Sequence, residues 1–296
     1  MLHRIRQSVG QVAFWRAARC ILLGLSLSAC ATTPPPNVTG PRPNEPPYPV
    51  LLLETVDRRE AALTAWTKFT TEQGITNAPA PELQPVTATI RSLPAFTGTP
   101  LYLPKVGDTM PMNEENTRES LRRFITSASP IIGATPQQLS LVKRIDGADG
   151  TQRALYEQRP FRYPLRNGYG KLEITFTPDR RVLQINSTCI TEVEQLQRAG
   201  AGTRPRLDAE KVSALVTDHT FTYKDAAGDP QTLTITKGEE VIVRELVIYP
   251  IPRARDPLIL EFHLAWEITL KRASGSLNIY LDAVTDELLA VSPFPE

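Results

Sequence analysis

From Leu258 to Leu270 every even-numbered residue is apolar: Leu258, Leu260, Phe262, Leu264, Trp266, Ile268 and Leu270. The odd positions from 261 onward carry Glu261, His263, Ala265, Glu267 and Thr269. Successive side chains of a strand point to opposite faces, so this run is a long β-strand with one apolar face. A return strand follows, with Leu277, Ile279 and Leu281 on one face and Asn278, Tyr280 and Asp282 on the other. The pair predicts an antiparallel hairpin from Leu260 to Val284 whose strand ends at Asp282-Ala283. Its apolar face must be covered by another layer. Its polar face is expected to meet water. Glu261, His263 and Glu267, with Asp282 across the ladder, are also the one group in the chain of a type that binds a metal or transfers protons.

The rest of the chain repeats one plan, a helix followed by strands. In "NTRESLRRFITSA", Leu121, Phe124, Ile125 and Ala128 have the spacing of a one-sided helix, and Asn116 with Glu119 suits a capping-box start. After Pro130 come four strand-like runs: "LSLVKRI", "RALYEQR", "GKLEITF" and "RVLQINS". In "LDAEKVSALV", Asp208 is the expected N-cap and Leu207 and Val212 a hydrophobic staple. The strands "QTLTITK", "EVIVRELVIY", the hairpin and "ELLAVS" follow. His219 falls at the expected C-terminus of that helix, where it would meet the last carbonyls. An earlier helix is expected from Leu52 to Phe69, with Leu52, Val56, Leu63, Trp66 and Phe69 on one face. Helices segregated from antiparallel strands define an α+β fold.

The N-terminus gives a cellular address. Arginines precede the short apolar run "ILLGLSLSA", too short to span a bilayer, which needs about 20 residues. Removing residues 1–29, which hold four arginines and no acid, takes the formal net charge from +1 to −3. A mildly acidic chain with scattered cations is not expected to bind nucleic acid. Cys20 leaves with the leader and Cys30 stands at the cut. Only Cys189 then remains, so no internal disulfide is expected; it reads as a small buried side chain. Residues 31–49, "ATTPPPNVTGPRPNEPPYP", lack apolar periodicity and read as an extended, polyproline-like spacer.

Three resemblances follow from these residues. Leu27-Ser28-Ala29-Cys30 resembles the lipobox of bacterial lipoproteins. It implies lipidation of Cys30 and, with Ala31 next, an outer-membrane lipoprotein facing the periplasm; a soluble periplasmic protein is the alternative. "LRRFI", "GATPQQLSLV" and "YEQRPFRYPLRNGYGKLEITF", with Gln158, Pro164, Leu165 and Leu172, resemble the FTP domain of thermolysin- and fungalysin-type propeptides. Ala265-Trp266-Glu267, Tyr280 to Ala283 and Thr285 to Leu288 resemble the PepSY domain that follows it there. Arg162 replaces a usual Gly, and Asp286 stands for the Gly of the last turn, which Asp tolerates. The resemblance implies two tandem cystatin-like units, a helix packed on an antiparallel sheet. The expected organisation is a signal peptide 1–29, a tether 30–50, a helical and strand subdomain 51–112, an FTP-like domain 113–190, a linker 191–206 and a PepSY-like domain 207–296.

Beyond the resemblance, the chain has no H-E-x-x-H; after the leader only His219 and His263 remain, and neither precedes Glu. There is no G-x-S-x-G, C-x-x-C or phosphate-binding glycine loop. The expectation is a protein without a catalytic site, cofactor or bound metal. It is tethered to the membrane through Cys30 and binds an envelope protein or peptide as inhibitor, chaperone or anchor, with a peptidase as one candidate partner. A structural or assembly factor and an unrecognised hydrolase are the alternatives. Arg159, Phe161, Arg162, Tyr163 and Arg166 read as a recognition loop or, alternatively, an exposed connection. Phe294 and Glu296 lie in the tail "SPFPE", which by resemblance stands where a propeptide runs on into its enzyme.

Overall fold

The computed structural model describes residues 48–52, 55–108, 111–159, 161–224, 229–253, 256–273 and 275–293. The fold is α+β, and its strands pair antiparallel in sheets.

The first unit is built on a sheet of four strands in sequence order. These are β4 (Leu139–Asp146), β5 (Gln152–Gln158), β6 (Lys171–Phe176) and β7 (Val182–Ser187). They are the four runs expected from alternation. Helix α2 (Glu114–Ile132) covers one face. Its stripe Leu121, Phe124, Ile125 and Ala128 is buried against Ala154, Leu172, Ile174 and Ile185. The helix begins a turn before Asn116, because the Asn113 side chain accepts the Asn116 N–H at 2.8 Å. Glu119 instead pairs with Arg122 and Arg123. Pro130 does not end the helix. The Thr126 carbonyl, which a proline four residues on cannot engage, accepts the Ser129 hydroxyl at 3.0 Å. The helix stops at Gly133, whose left-handed φ of 81° suits glycine.

Residues 55–108 belong to this same core. Helix α1 (Val56–Glu72) starts at the Thr55 N-cap, later than expected. It buries Ala62, Trp66 and Phe69, while Val56 is 71% exposed. Phe69 meets Phe124 of α2 edge-on at 5.7 Å. Two short strands, β2 (Glu82–Leu83) and β3 (Ile90–Ser92), pair with each other. Leu101 and Leu103, both fully buried, exchange backbone hydrogen bonds with Arg180 and Val182 and so cover the outer edge of β7.

The second unit is built on the hairpin. Strands β10 (Glu240–Arg253), β11 (Asp256–Arg272), β12 (Gly275–Asp282) and β13 (Leu288–Pro293) form one antiparallel sheet. Leu260, Phe262, Leu264, Ile268 and Leu270 are buried, as the even face requires. Helix α4 (Ala209–Val216), capped by Asp208 as expected, packs Val212 and Val216 on Ile268, Leu270, Ile279 and Leu281. A separate hairpin, β8 (His219–Lys224) and β9 (Pro230–Ile235), adds Phe221, Leu233 and Ile235 to that core. His219 opens β8 and stacks on Phe221 at 4.5 Å, so it is a strand residue and not a helix cap. Asp286 takes the left-handed conformation (φ 64°) in the last turn.

Two segments join the units. The stretch 191–206 holds a short helix, α3 (Val193–Gly200), whose Leu196 is buried with Ile190, Leu165, Leu260 and Phe262. At the other end of the chain's order, β1 (Val50–Leu52) lies antiparallel on β11, with Val50 opposite Glu261 and Leu52 opposite Ile259. Leu52 therefore belongs to a strand. Among the described residues no helix is long and apolar enough to cross a membrane.

Candidate functional site

The odd face of β11 is largely buried, although Glu267 and Thr269 also line a cleft. His263, Glu267, Thr269, Asn278 and Asp282 are all less than a tenth exposed, and Ala265 is fully buried. The cause lies in β10. A bulge between Val243 and Glu245 shifts its register, so Val247 and Tyr249 fall on this face opposite Ala265 and His263. Tyr48 and the loop around Arg166 and Asn167 then cover it. "ELVIYPI" in β10 is a near-continuous apolar run, the pattern of a strand buried on both faces. That signal was present in the sequence. A buried polar face needs internal partners, and this one divides into two clusters.

The first centres on His263. Its Nδ1 lies 2.7 Å from Asp282 Oδ2 and its Nε2 lies 3.1 Å from Glu261 Oε2. The Arg253 guanidinium donates to Glu261. The Tyr48 hydroxyl donates to Asp282 at 2.5 Å, and its ring lies 3.9 Å from the imidazole. Backbone N–H groups of Val284 and Thr285 donate to the other Asp282 oxygen. Burial disfavours charge on the His263 ring, but the hydrogen bonds to Asp282 and Glu261 outweigh it and raise the pKa. Burial likewise opposes charge on Asp282, yet His263 and Tyr48 hold its pKa below the usual range. The hydrogen bond from His263 lowers that of Glu261. Burial, then Asp282, raises that of the Tyr48 phenol. The group is an imidazole ring between two carboxylates, an arrangement that favours its charged form. With both ring nitrogens facing carboxylates, neither faces a nucleophile.

The second cluster centres on Arg166, which the first unit projects onto the second. Its Nε and Nη2 reach both oxygens of Glu267 at 2.9–3.2 Å, and Nη2 reaches Glu245 at 3.0 Å. Tyr280 donates to Glu267 at 3.0 Å. Glu245 and Glu267 sit directly opposite across the ladder, an arrangement of like charges that the shared guanidinium relieves. Burial lowers the pKa of Arg166, and the carboxylates overcome that and raise it. Backbone bonds fix the loop: Ile248 N–H donates to Pro164 at 2.8 Å and Arg166 N–H to Ile248 at 3.0 Å. This covers the outer edge of β10 at Ile248. Beside the cluster lies a polar cleft of about 850 Å³ between the units, walled by Arg166, Lys171, Arg244, Glu245, Ser292 and Pro293.

The four residues grouped in the sequence are thus separated. Glu261, His263 and Asp282 meet; Glu267 belongs with Arg166. No set of three or more His, Cys, Asp or Glu side chains among the described residues is arranged to hold a metal. Two of the five residues of the expected recognition loop, Phe161 and Arg166, lie in an internal joint. Phe161 packs on the cluster of Leu165, Leu260 and Phe262, and Arg166 is paired. Arg159 pairs with Glu157 at 3.0 Å, and Arg162 lies 5.2 Å from the Tyr163 ring. Cys30, Phe294 and Glu296 lie outside the described residues. Cys189 is buried, which pushes its thiol pKa up to about 12.

No family model matches the chain, and no curated protein matches it. Among solved structures it is similar to the Bacillus megaterium YpeB C-terminal domain, at 9% identity and a TM-score of 0.32, over 83% of this chain and 100% of that one. A likeness of that size assigns neither function nor partner.

Proposed function

We propose that this is a non-catalytic cell-envelope lipoprotein, tethered through Cys30, that binds an extended segment of another envelope protein along the edge of β13. The reading rests on one observation, the state of the sheet edges. Loops cover the edge of β7 and the part of the β10 edge around Ile248 and Pro250. The edge of β4 is guarded by a bulge at Val142 and by Lys143 and Arg144. Strand β13, "LLAVSP", carries no charge; β8 packs beside it, and among the described residues its outer side makes no backbone hydrogen bond. Its Ser292 and Pro293 form a wall of the polar cleft. An unpaired, uncharged edge beside a cleft is what strand addition uses: backbone bonds supply affinity and alternate side chains supply selectivity. The lipobox and the propeptide-like motifs support an envelope partner and a role as inhibitor, chaperone or anchor.

A photo-crosslinking residue at Ser292, with one at Val142 of β4 as control, tests this in cells. The Ser292 probe should capture one defined segment of a partner, and the Val142 probe should not. Equal capture from both edges, or none from either, contradicts the proposal and favours a structural role without a peptide cleft.

A further inference from the structure

The polar cleft beside β13 has a donor to spare in its floor. Asn278 of β12 lines the cleft and is only 7% exposed. A relay orients its amide. Arg244 Nε can only donate, and it donates to Thr269 Oγ1 at 3.1 Å. The single Thr269 hydroxyl hydrogen then goes to Asn278 Oδ1, also at 3.1 Å. That turns the Asn278 NH2 group away from the relay. Its nitrogen has no partner among the described residues and is not sealed from solvent, so it opens into the cleft. A nearly buried amide with unused hydrogens calls for an acceptor.

The charges around it suit an anion. The three carboxylates of the wall are already held, Glu245 and Glu267 by Arg166 and Glu157 by Arg159. Lys171, on the wall that the first unit contributes, is exposed, and its ammonium makes no ion pair among the described residues. The spare groups are thus an amide donor and a cation, which together fit a carboxylate.

Register gives the place a carboxylate would come from. Asn278 and Ser292 lie directly opposite each other across β12 and β13 and share a face. A strand added outside β13 sets the residue opposite Ser292 on that same face, two strand spacings or about 10 Å from Asn278. Ser292 between them is small, so a glutamate at that position reaches over it toward the amide.

We propose that the cleft is a carboxylate-recognition site, which takes the acidic side chain that a segment paired with β13 carries opposite Ser292. The proposal rests on strand addition at β13 and adds the chemistry of the partner, an extended acidic segment. Backbone pairing does not discriminate between side chains, so the acid supplies the selectivity. Asn278 and Lys171 are its contacts; Thr269 and Arg244 hold the amide in position.

Two arms test this. In the first, glutarate is titrated into the full-length chain at constant ionic strength while the Asn278 side-chain amide resonance is followed. It should shift with an affinity on the order of millimolar, about fivefold weaker in Lys171→Ala, a change on an exposed residue that leaves the fold intact. No shift, or equal affinity in the variant, overturns the proposal whatever happens at β13. In the second arm, the segment captured through Ser292 in cells is made as a peptide, alongside a version with its acid replaced by the amide. The unaltered chain should bind the acid form about fivefold or more tightly, and Asn278→Asp should abolish that preference. Equal binding of the two peptides by the unaltered chain overturns the proposal and leaves strand addition at β13 standing. Capture of no segment removes strand addition, and the partner named here with it.

Discussion

His263 and Arg166 show what a buried polar residue does in this fold. An unfolded histidine titrates near pH 6.5, and the folded pKa of His263 is higher. Its stabilising contribution is therefore complete below about pH 6.5 and is lost as pH rises through the folded value. Asp282 and Glu261 shift the other way, so theirs is present above about pH 4.5 and is lost as pH falls through their depressed values. Melting temperature should accordingly peak between about pH 5 and 6.5. A His263→Gln variant, which has no charge to lose, should flatten the alkaline limb of that profile; an unchanged limb would show that another group titrates. Arg166→Ala leaves Glu267 without its cation on a largely buried face and should cost about 2–3 kcal/mol by denaturant unfolding. Pairing it with Glu267→Gln should recover part of that loss. The sequence put Glu261, His263, Glu267 and Asp282 on one face. The apolar run of β10 was the one sign that this face is covered; the covering residues could not be named, because Tyr48 and Arg166 arrive from 215 and 97 positions away from His263.

At the scale of elements, local pattern was readable wherever one face of a helix or strand is buried and the other wet. The stripe of α2, the Asp208 cap and strands β4 to β7 follow from spacing alone. Element ends were less readable, since they depend on single side chains: Asn113 in place of Asn116 for α2, Thr55 in place of Leu52 for α1. Short β8 and α3 were missed because each packs few residues. Helix α1 is integral to the first core, so Trp66→Ala should destabilise that unit by about 3–5 kcal/mol. Calorimetry should show the loss in the transition of the first core. At Gly133 an added Cβ meets the Thr89 and Thr191 methyls at 2.6 and 2.9 Å, on a backbone with φ 81°. Gly133→Ala should cost about 2 kcal/mol or more, measured by urea unfolding.

At the scale of the molecule, the two helix-on-sheet units are joined by backbone, apolar and ionic contacts at one place. Pro164 and Arg166 bond to Ile248, Leu165 packs with Leu260 and Phe262, and Arg166 crosses to Glu245 and Glu267. The joint covers the edge of β10 around Ile248, and β1 pairs with part of β11. The proposed strand addition falls on β13, at the mouth of the cleft beside the joint. The most direct measurement is amide hydrogen exchange of the full chain, alone and with the partner segment captured through Ser292. The account predicts new protection in Leu288–Pro293 and none in β4. Protection that appears elsewhere while β13 exchanges as before would contradict it.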